Sequence, residues 1–183
     1  IGLTYAHYAP DTESAPLLVW LHGGGEGGSD PSIPLAANRA AAFASEEMQA
    51  FFGGAYILVP QAPTFWQDTG FPGDSLNGID SIYTRALQNL VESYVTENPG
   101  IDTDRIYMGG LSNGGFQTVR LLLDYPDYYA AAIAVCSPFK PGSVNDAQLS
   151  RIADIPLWLV TAANDPTVPA LRDPLPFYHR LIQ

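Results

Sequence analysis

Apolar residues along the chain fall into short unbroken runs and longer stretches with a helical period. The short runs cover residues 17–21, 56–59, 105–108, 131–136 and 157–160. Near-continuous apolar runs of this length are typical of parallel strands that helices cover on both faces. Residues 3–7 alternate from one position to the next, which predicts an antiparallel strand at the sheet edge. The pattern therefore predicts an α/β domain with a mainly parallel central sheet and helices on both faces.

Helical periodicity predicts helices at residues 36–52, 79–98, 114–123 and 176–182. Two loops rich in glycine and proline, 23–34 and 61–77, are long enough to shape a site above the sheet. No shift in composition marks a boundary, so residues 1–183 are expected to form a single domain. We expect that domain to be incomplete at both ends, because Ile1 opens within a predicted strand and Gln183 ends within a predicted helix.

Composition and charge argue against several classes of binding partner. Hydrophobic residues make up 46% of the chain, enough for a core, and 19 acidic against 8 basic residues give a net charge of −11. Nucleic acids and anionic membrane surfaces need a basic face, so neither is an expected partner. The longest apolar runs fall far short of the ~20 residues that span a bilayer. The acidic, lysine-poor composition suggests a secreted or cell-surface bacterial protein, although a cytoplasmic location also fits.

The strongest chemical motif lies at residues 110–114, Gly-Leu-Ser-Asn-Gly, between a predicted strand and a predicted helix. A serine on such a turn can be a nucleophile, because the sharp backbone presents its hydroxyl above the sheet. Glycines beside it are required where a side chain would clash with the neighbouring strand or helix. The helix N-terminus also favours the negative charge that develops there. Ser112 is the candidate nucleophile, and a glycine-rich turn without chemistry is the alternative.

A second motif is the glycine-rich loop at residues 23–28, directly after the strand at 17–21. Its backbone N–H groups can face a reacting carbonyl oxygen together with the N–H of the residue after the nucleophile. The candidate oxyanion-hole donors are therefore Gly24, with Gly25 as the alternative, and Asn113. His22 is expected to brace this loop. The run also fits the GxGxxG dinucleotide pattern, but the prolines that follow and the charge of Glu26 argue against it.

A third motif surrounds Asp165, which follows the strand at 157–160. A carboxylate there, after the serine in the chain, fits a catalytic triad in the chain order serine, aspartate, histidine. It would fix the tautomer of a histidine and stabilise the imidazolium. The alternative is an Asn-Asp-Pro turn in which the carboxylate bonds its own backbone. The only cysteine, Cys136, excludes an internal disulfide and a multi-cysteine metal site. No metal or organic cofactor is expected.

Together these motifs resemble the α/β-hydrolase superfamily of serine esterases, near bacterial carboxylesterases and polyhydroxybutyrate-depolymerase-like, feruloyl-esterase-like or prolyl-oligopeptidase-like hydrolases. The residues that carry the resemblance are 21–27 (LHGGGEG), 59–63 (VPQAP), 101–107 (IDTDRIY), 110–115 (GLSNGG) and 165–169 (DPTVP). The resemblance implies Ser112 as nucleophile, Asp165 as triad acid, and Gly24 with Asn113 as oxyanion donors. Asn113 stands where methionine or glutamine is common.

The resemblance also implies a catalytic histidine on a loop well beyond the acid. Only 18 residues follow Asp165, and His179 among them falls on a predicted helix. His7, on the first strand, is a poorer candidate. We therefore expect these residues to be part of a longer enzyme whose triad histidine lies elsewhere.

The expected function is hydrolysis of a small-molecule or polymeric carboxylic ester through an acyl-enzyme on Ser112. A non-catalytic binding module of the same fold and a prolyl-oligopeptidase-like peptidase are the alternatives. Phe65, Trp66 and Phe71 are candidates to line an acyl pocket or, equally, to pack a long loop.

Overall fold

A computed structural model describes residues 2–71 and 80–183, and six strands in them form one sheet in the order β1-β3-β2-β4-β5-β6. The pairs β2–β3, β2–β4, β4–β5 and β5–β6 are parallel, and β1 is antiparallel to β3. The strands are β1 Thr4–Tyr8, β2 Ala15–Leu21, β3 Tyr56–Gln61, β4 Ile101–Leu111, β5 Ala131–Val135 and β6 Leu157–Val160. All the predicted strands are confirmed, including the antiparallel edge strand.

The α-helices are α1 Ser32–Ala36, α2 Glu46–Phe52, α3 Thr84–Glu97, α4 Asn113–Asp124, α5 Asp146–Ser150 and α6 Pro174–Leu181. Those predicted at 114–123 and 176–182 are confirmed within two residues, although α6 ends before Gln183. The helix predicted at 79–98 begins at Thr84, and Ile79 lies outside the described residues. The short α5, which begins with a capping box between Asn145 and Gln148, has no counterpart among the predicted helices.

The single helix predicted at 36–52 is wrong, because the structure breaks it into α1, a 3-10 segment Ala37–Ala44 and α2. Asn38 and Arg39 have φ values of 52° and 57°, in the left-handed region that a right-handed helix cannot continue through. Helix α2 then restarts where the Ser45 hydroxyl accepts the Met48 N–H at 3.3 Å. The apolar positions do follow a helical period, but the backbone changes direction at Asn38 and Arg39.

The main core lies on one face of the sheet, where α3 and α4 pack against side chains of β2 and β4. Leu17, Val19 and Leu21 from β2 and Met108 from β4 are fully buried there, together with Leu87 of α3. Fully buried side chains of this size each contribute about 1.5–3 kcal/mol to folding. This packing fixes the carboxyl end of β4 against the amino end of α4, where the predicted nucleophile lies.

The other face of the sheet carries an open apolar groove with a volume of about 810 Å³. Strands β2, β4, β5 and β6 line it with Trp20, Tyr107, Ile133 and Trp158, and the Trp158 side chain is 70% exposed. None of the four predicted site residues lines this groove. No helix in the described parts of the chain is long and apolar enough to cross a membrane.

Candidate active site

Ser112 occupies a sharp turn between β4 and α4. Its φ of 54° and ψ of −113° lie in a region that residues with a side chain rarely adopt, at a strain of about 1–3 kcal/mol. The turn is held by its own backbone, since the Ser112 N–H donates to the Val135 carbonyl at 2.8 Å. The Ser112 carbonyl in turn accepts the Phe116 N–H at 3.0 Å in the first turn of α4. This is the strand–turn–helix context that the motif predicted.

Two glycines let this turn sit against its neighbours. A Cβ on Gly110 would lie 2.5 Å from the carbonyl oxygen of Gly114, and one on Gly114 would overlap the Leu21 carbonyl and lie 2.7 Å from that of His22. These obstacles are backbone atoms, which cannot rotate away as a flexible side chain can. The glycines are therefore required by the close approach of α4 to the ends of β2 and β4.

Substitution of Gly114 by alanine should destabilise the protein by about 3 kcal/mol, because the clash of the new methyl group can be relieved only by moving α4 or β2. For a chain of this size we expect the melting temperature to fall by about 10 °C. Gly142→Ala is the matched control, since a Cβ at Gly142 meets no atom within 4 Å. Equal melting temperatures for the two variants would contradict the close packing at the turn.

The glycine-rich loop after β2 lies beside this turn. Gly24 opens a 3-10 turn, Gly24–Glu26, and a Cβ built on Gly24 would come within 3.8 Å of the Asn113 Cβ. A single short turn here, followed by extended backbone at Gly27, is not the long helix that a dinucleotide fingerprint requires. The structure therefore brings Gly24 and Asn113 together, as the predicted oxyanion hole requires.

The side chain of His22 is hydrogen-bonded to backbone groups at the start of the glycine-rich loop and after β3. The Ala62 N–H donates to His22 Nε2 at 3.0 Å, so that nitrogen carries no proton, and Nδ1 donates to the Gly23 carbonyl at 2.6 Å. Burial lowers the pKa of His22, and the bond to Gly23 only partly offsets this effect. The ring is therefore neutral at pH 7 with both nitrogens engaged. Its position is that of a brace rather than a base.

Asp165 follows β6 at the same edge of the sheet as Ser112. The Leu111–Val135 and Val135–Val160 pairs place the carboxyl ends of β4, β5 and β6 side by side. Asp165 Oδ1 accepts the N–H groups of Thr167 at 2.8 Å and Val168 at 2.9 Å, as in the turn weighed as the alternative. Within the described residues its Oδ2 accepts no hydrogen bond. The turn therefore holds the carboxylate while leaving one oxygen for another donor.

Hydrogen bonds and charges at this end of the sheet shift the pKa values of Asp165 and Cys136. The N–H groups of Val168 and Thr167 lower the pKa of the Asp165 carboxyl, which keeps it ionised near neutral pH. Burial raises the pKa of the Cys136 thiol, the Ser112 backbone opposes this, and the charge of Asp165 adds to it. The thiol of Cys136 thus lies near both Ser112 and Asp165, a neighbourhood that the sequence did not indicate.

The chain's three histidines all lie within the described ranges, and there none of them forms a hydrogen bond with Ser112 or Asp165. His22 is engaged as described, and His7 Nδ1 lies 3.0 Å from the Tyr94 hydroxyl on the β1 edge of the sheet. His179 is exposed on α6, with its ring beside Tyr178. The structure thus places Ser112, Gly24, Asn113 and Asp165 at one edge without a histidine between them.

For the aromatic residues of the loop after β3, the sequence left open whether they line a pocket or pack the loop. Trp66 is fully buried, with its ring 5.0 Å from that of His22, whereas Phe71 is 72% exposed. Trp66 therefore packs the loop and does not line an open pocket. Residues 72–77 of the predicted loop lie outside the described residues. The sequence also missed that Gln67 and the Asn113 side chain are hydrogen-bonded to each other.

Comparison with known proteins assigns the chain to a family. A sequence model described as phospholipase/carboxylesterase matches residues 6–173 of the chain. The chain belongs to the phospholipase/carboxylesterase family. The α/β-hydrolase fold and the serine-esterase resemblance are thereby confirmed.

Individual members of related groups differ in what they hydrolyse. A solved thermostable esterase is 30% identical, with a TM-score of 0.83, over 98% of this chain and 47% of its own. The acylamino-acid-releasing enzyme of Rattus norvegicus is 27% identical over 161 residues, 86% of this chain and 19% of that protein. An acylaminoacyl peptidase of Pyrococcus horikoshii, 20% identical with a TM-score of 0.62 over 98% of this chain and 32% of its own, shows the shared fold alone. The chain thus spans about half of the solved esterase and about a fifth of the curated relative.

Proposed function

We propose that the protein hydrolyses carboxylic esters through an acyl-enzyme on Ser112. The observation that carries this proposal is the strained turn of Ser112, whose φ is 54° and whose close backbone neighbours leave room only for glycine at 110 and 114. A protein that only binds a ligand has no need of such a turn. Membership of the phospholipase/carboxylesterase family and the 30% identity with a solved esterase support the same reading.

In the first half of the reaction the Ser112 hydroxyl oxygen forms a bond to the ester carbonyl carbon. Its proton passes to a base, and the carbonyl oxygen becomes an oxyanion that the N–H groups of Gly24 and Asn113 stabilise. The ester C–O bond then breaks, and the alcohol leaves with the proton from the base. In the second half a water molecule repeats the addition, which releases the acid and restores Ser112.

The base is a histidine supplied by a part of the protein other than residues 1–183. The positions of His7, His22 and His179 support this, because each lies away from Ser112 or has its ring nitrogens engaged. Asp165 would orient that histidine through Oδ2, the oxygen that its own turn leaves free. The ionised state of this carboxylate suits the task of stabilising an imidazolium.

The substrate class is a small-molecule or polymeric ester. A second candidate is release of an N-acylated amino acid from a peptide, and the match to the acylamino-acid-releasing enzyme of Rattus norvegicus favours it. Both reactions use the same nucleophile and oxyanion hole, so the leaving group distinguishes them. A secreted or cell-surface location stays a prediction from the acidic composition.

Turnover of a simple acyl ester, compared with that of an N-acylated amino-acid anilide, decides between the two candidates. We expect the complete protein to hydrolyse p-nitrophenyl butyrate with a kcat/KM at least about 100-fold above that for N-acetyl-alanine p-nitroanilide, a difference of about 2.7 kcal/mol in barrier. Comparable values for the two substrates would establish the peptidase reading instead. Turnover of neither substrate, with a folded protein, would favour the non-catalytic binding module.

A further inference from the structure

The side chain of Asn113 joins the nucleophile turn to the loop after β3. It is 4% exposed, its Oδ1 accepts the backbone N–H of Trp66, and its Nδ2 donates to Gln67 Oε1 at 2.7 Å. The Gln67 side chain is itself only 3% exposed. An amide suits this position, because one short side chain must offer both an acceptor and a donor.

The same loop also holds the glycine-rich loop from the other side. The Ala62 N–H donates to His22 Nε2, and the Ala62 carbonyl accepts the Gly28 N–H at 2.9 Å. A Cβ on Gly27 would overlap the Thr64 carbonyl, so the two loops are in direct backbone contact. Residues 62–67 are therefore bonded at one end to the loop of Gly24 and at the other end to Asn113.

The connection through residues 62–67 matters because the two candidate oxyanion donors lie on separate segments. Gly24 lies in the glycine-rich loop, and Asn113 lies at the nucleophile turn. Among the described residues no hydrogen bond joins the Gly24 turn directly to Asn113. Donors in an oxyanion hole act at about 2.7–3.1 Å from the developing oxyanion, so their separation must be held within a few tenths of an ångström. Residues 62–67 form a hydrogen-bonded path between the two loops.

We propose that Gln67 and the side chain of Asn113 are positioning residues for ester hydrolysis. By fastening residues 62–67 to the nucleophile turn, they fix the distance between the N–H groups of Gly24 and Asn113. This inference rests on the proposed function and adds to it a role for two amide side chains. Because the oxyanion exists only in the transition state, loss of the connection lowers kcat and leaves KM for a small ester nearly unchanged.

The decisive variants are Gln67→Met, which removes only the acceptor of the Asn113 amide, and Asn113→Ala, which removes both of its bonds and keeps its backbone N–H. With p-nitrophenyl butyrate and the complete protein, we expect kcat to fall about tenfold in the first and about 100-fold in the second, the latter near the loss of one oxyanion donor. KM should stay within about twofold. The double variant should be no slower than Asn113→Ala, since both changes break one connection.

The matched control is Gln88→Met on α3. Gln88 is also buried, and its Oε1 accepts the Tyr129 hydroxyl at 2.7 Å, but it has no bond to the glycine-rich loop or to the nucleophile turn. Its replacement should lower the melting temperature without changing kcat. A trifluoromethyl ketone, which adds to the serine as an oxyanion-bearing adduct, supplies a second measurement. Its inhibition constant should rise in Gln67→Met by the factor that kcat/KM falls and stay constant in Gln88→Met.

A Gln67→Met variant that melts earlier but keeps its kcat and its affinity for the ketone would overturn the proposal. Such a result would assign Gln67 a purely structural role. If Asn113→Ala does not fold, Gln67→Met alone decides, because it removes a single hydrogen bond. Failure of the proposed function is distinct, since it would show as unchanged turnover on substitution of Ser112 in an otherwise intact protein.

Discussion

Ester hydrolysis by the complete protein should fall about a millionfold in kcat when Ser112 is replaced by alanine or glycine, the loss expected when a triad nucleophile is removed. Neither residue can form the acyl-enzyme, so only binding and the oxyanion hole would still accelerate the reaction. Initial rates with p-nitrophenyl butyrate, extended to long incubations, measure the effect. We expect binding of the intact ester to persist, because only the side chain of Ser112 changes.

Glycine is the more informative replacement, because the φ of 54° at Ser112 is strained for any residue with a Cβ. Ser112→Gly should therefore melt no earlier than the parent protein while losing its activity. Activity in either variant within tenfold of the parent would exclude Ser112 as nucleophile. A low melting temperature in Ser112→Ala alone would not do so, since the glycine variant separates folding from chemistry.

Replacement of Asp165 by asparagine should lower kcat about ten-thousandfold, as loss of the triad carboxylate does where the histidine then takes the wrong tautomer. Asparagine Oδ1 can still accept the N–H groups of Thr167 and Val168, so the turn should persist. Those bonds hold the pKa of the Asp165 carboxyl below that of the unfolded chain. The carboxylate therefore stabilises the fold above the unfolded pKa, and its contribution disappears as the pH falls through the folded pKa.

Asp154→Asn is the control for the change in charge, since Asp154 is exposed on the surface. It should leave kcat unchanged, and both variants should have melting temperatures near the parent at pH 7. A kcat for Asp165→Asn within threefold of the parent would show that Asp165 is only a turn residue. The triad acid would then have to be sought elsewhere in the protein.

The sequence was most informative where local pattern and long-range packing require the same residue. The parallel strands were predictable from their near-continuous apolar runs, although one face of β5 and β6 lines the open groove. Ser112 was predictable because Gly110 and Gly114 are needed by backbone atoms next to the turn and so leave a visible motif. The position of Asp165 after β6 was predictable, whereas its role stays a prediction, because its hydrogen bonds fit both a triad acid and a simple turn.

Features that depend on distant contacts or unusual backbone were not predictable. The apolar periodicity over residues 36–52 gives no sign that Asn38 and Arg39 adopt left-handed conformations, which ended the predicted helix. The sequence could not decide whether Trp66 lines a pocket or packs the loop, because its contact is with His22, 44 positions earlier in the chain. The bond between Asn113 and Gln67 joins residues 46 apart, and no local pattern specifies such a pair.

The most direct test of Ser112 as nucleophile is covalent labelling of the complete protein with a fluorophosphonate, followed by peptide mapping. The reagent phosphonylates a serine only when a base activates its hydroxyl, and the fluoride leaves as the O–P bond forms. We expect one adduct, on Ser112, with labelling lost in Ser112→Gly and strongly slowed in Asp165→Asn. Labelling of another residue, or none in a folded protein that binds esters, would contradict the proposed esterase mechanism.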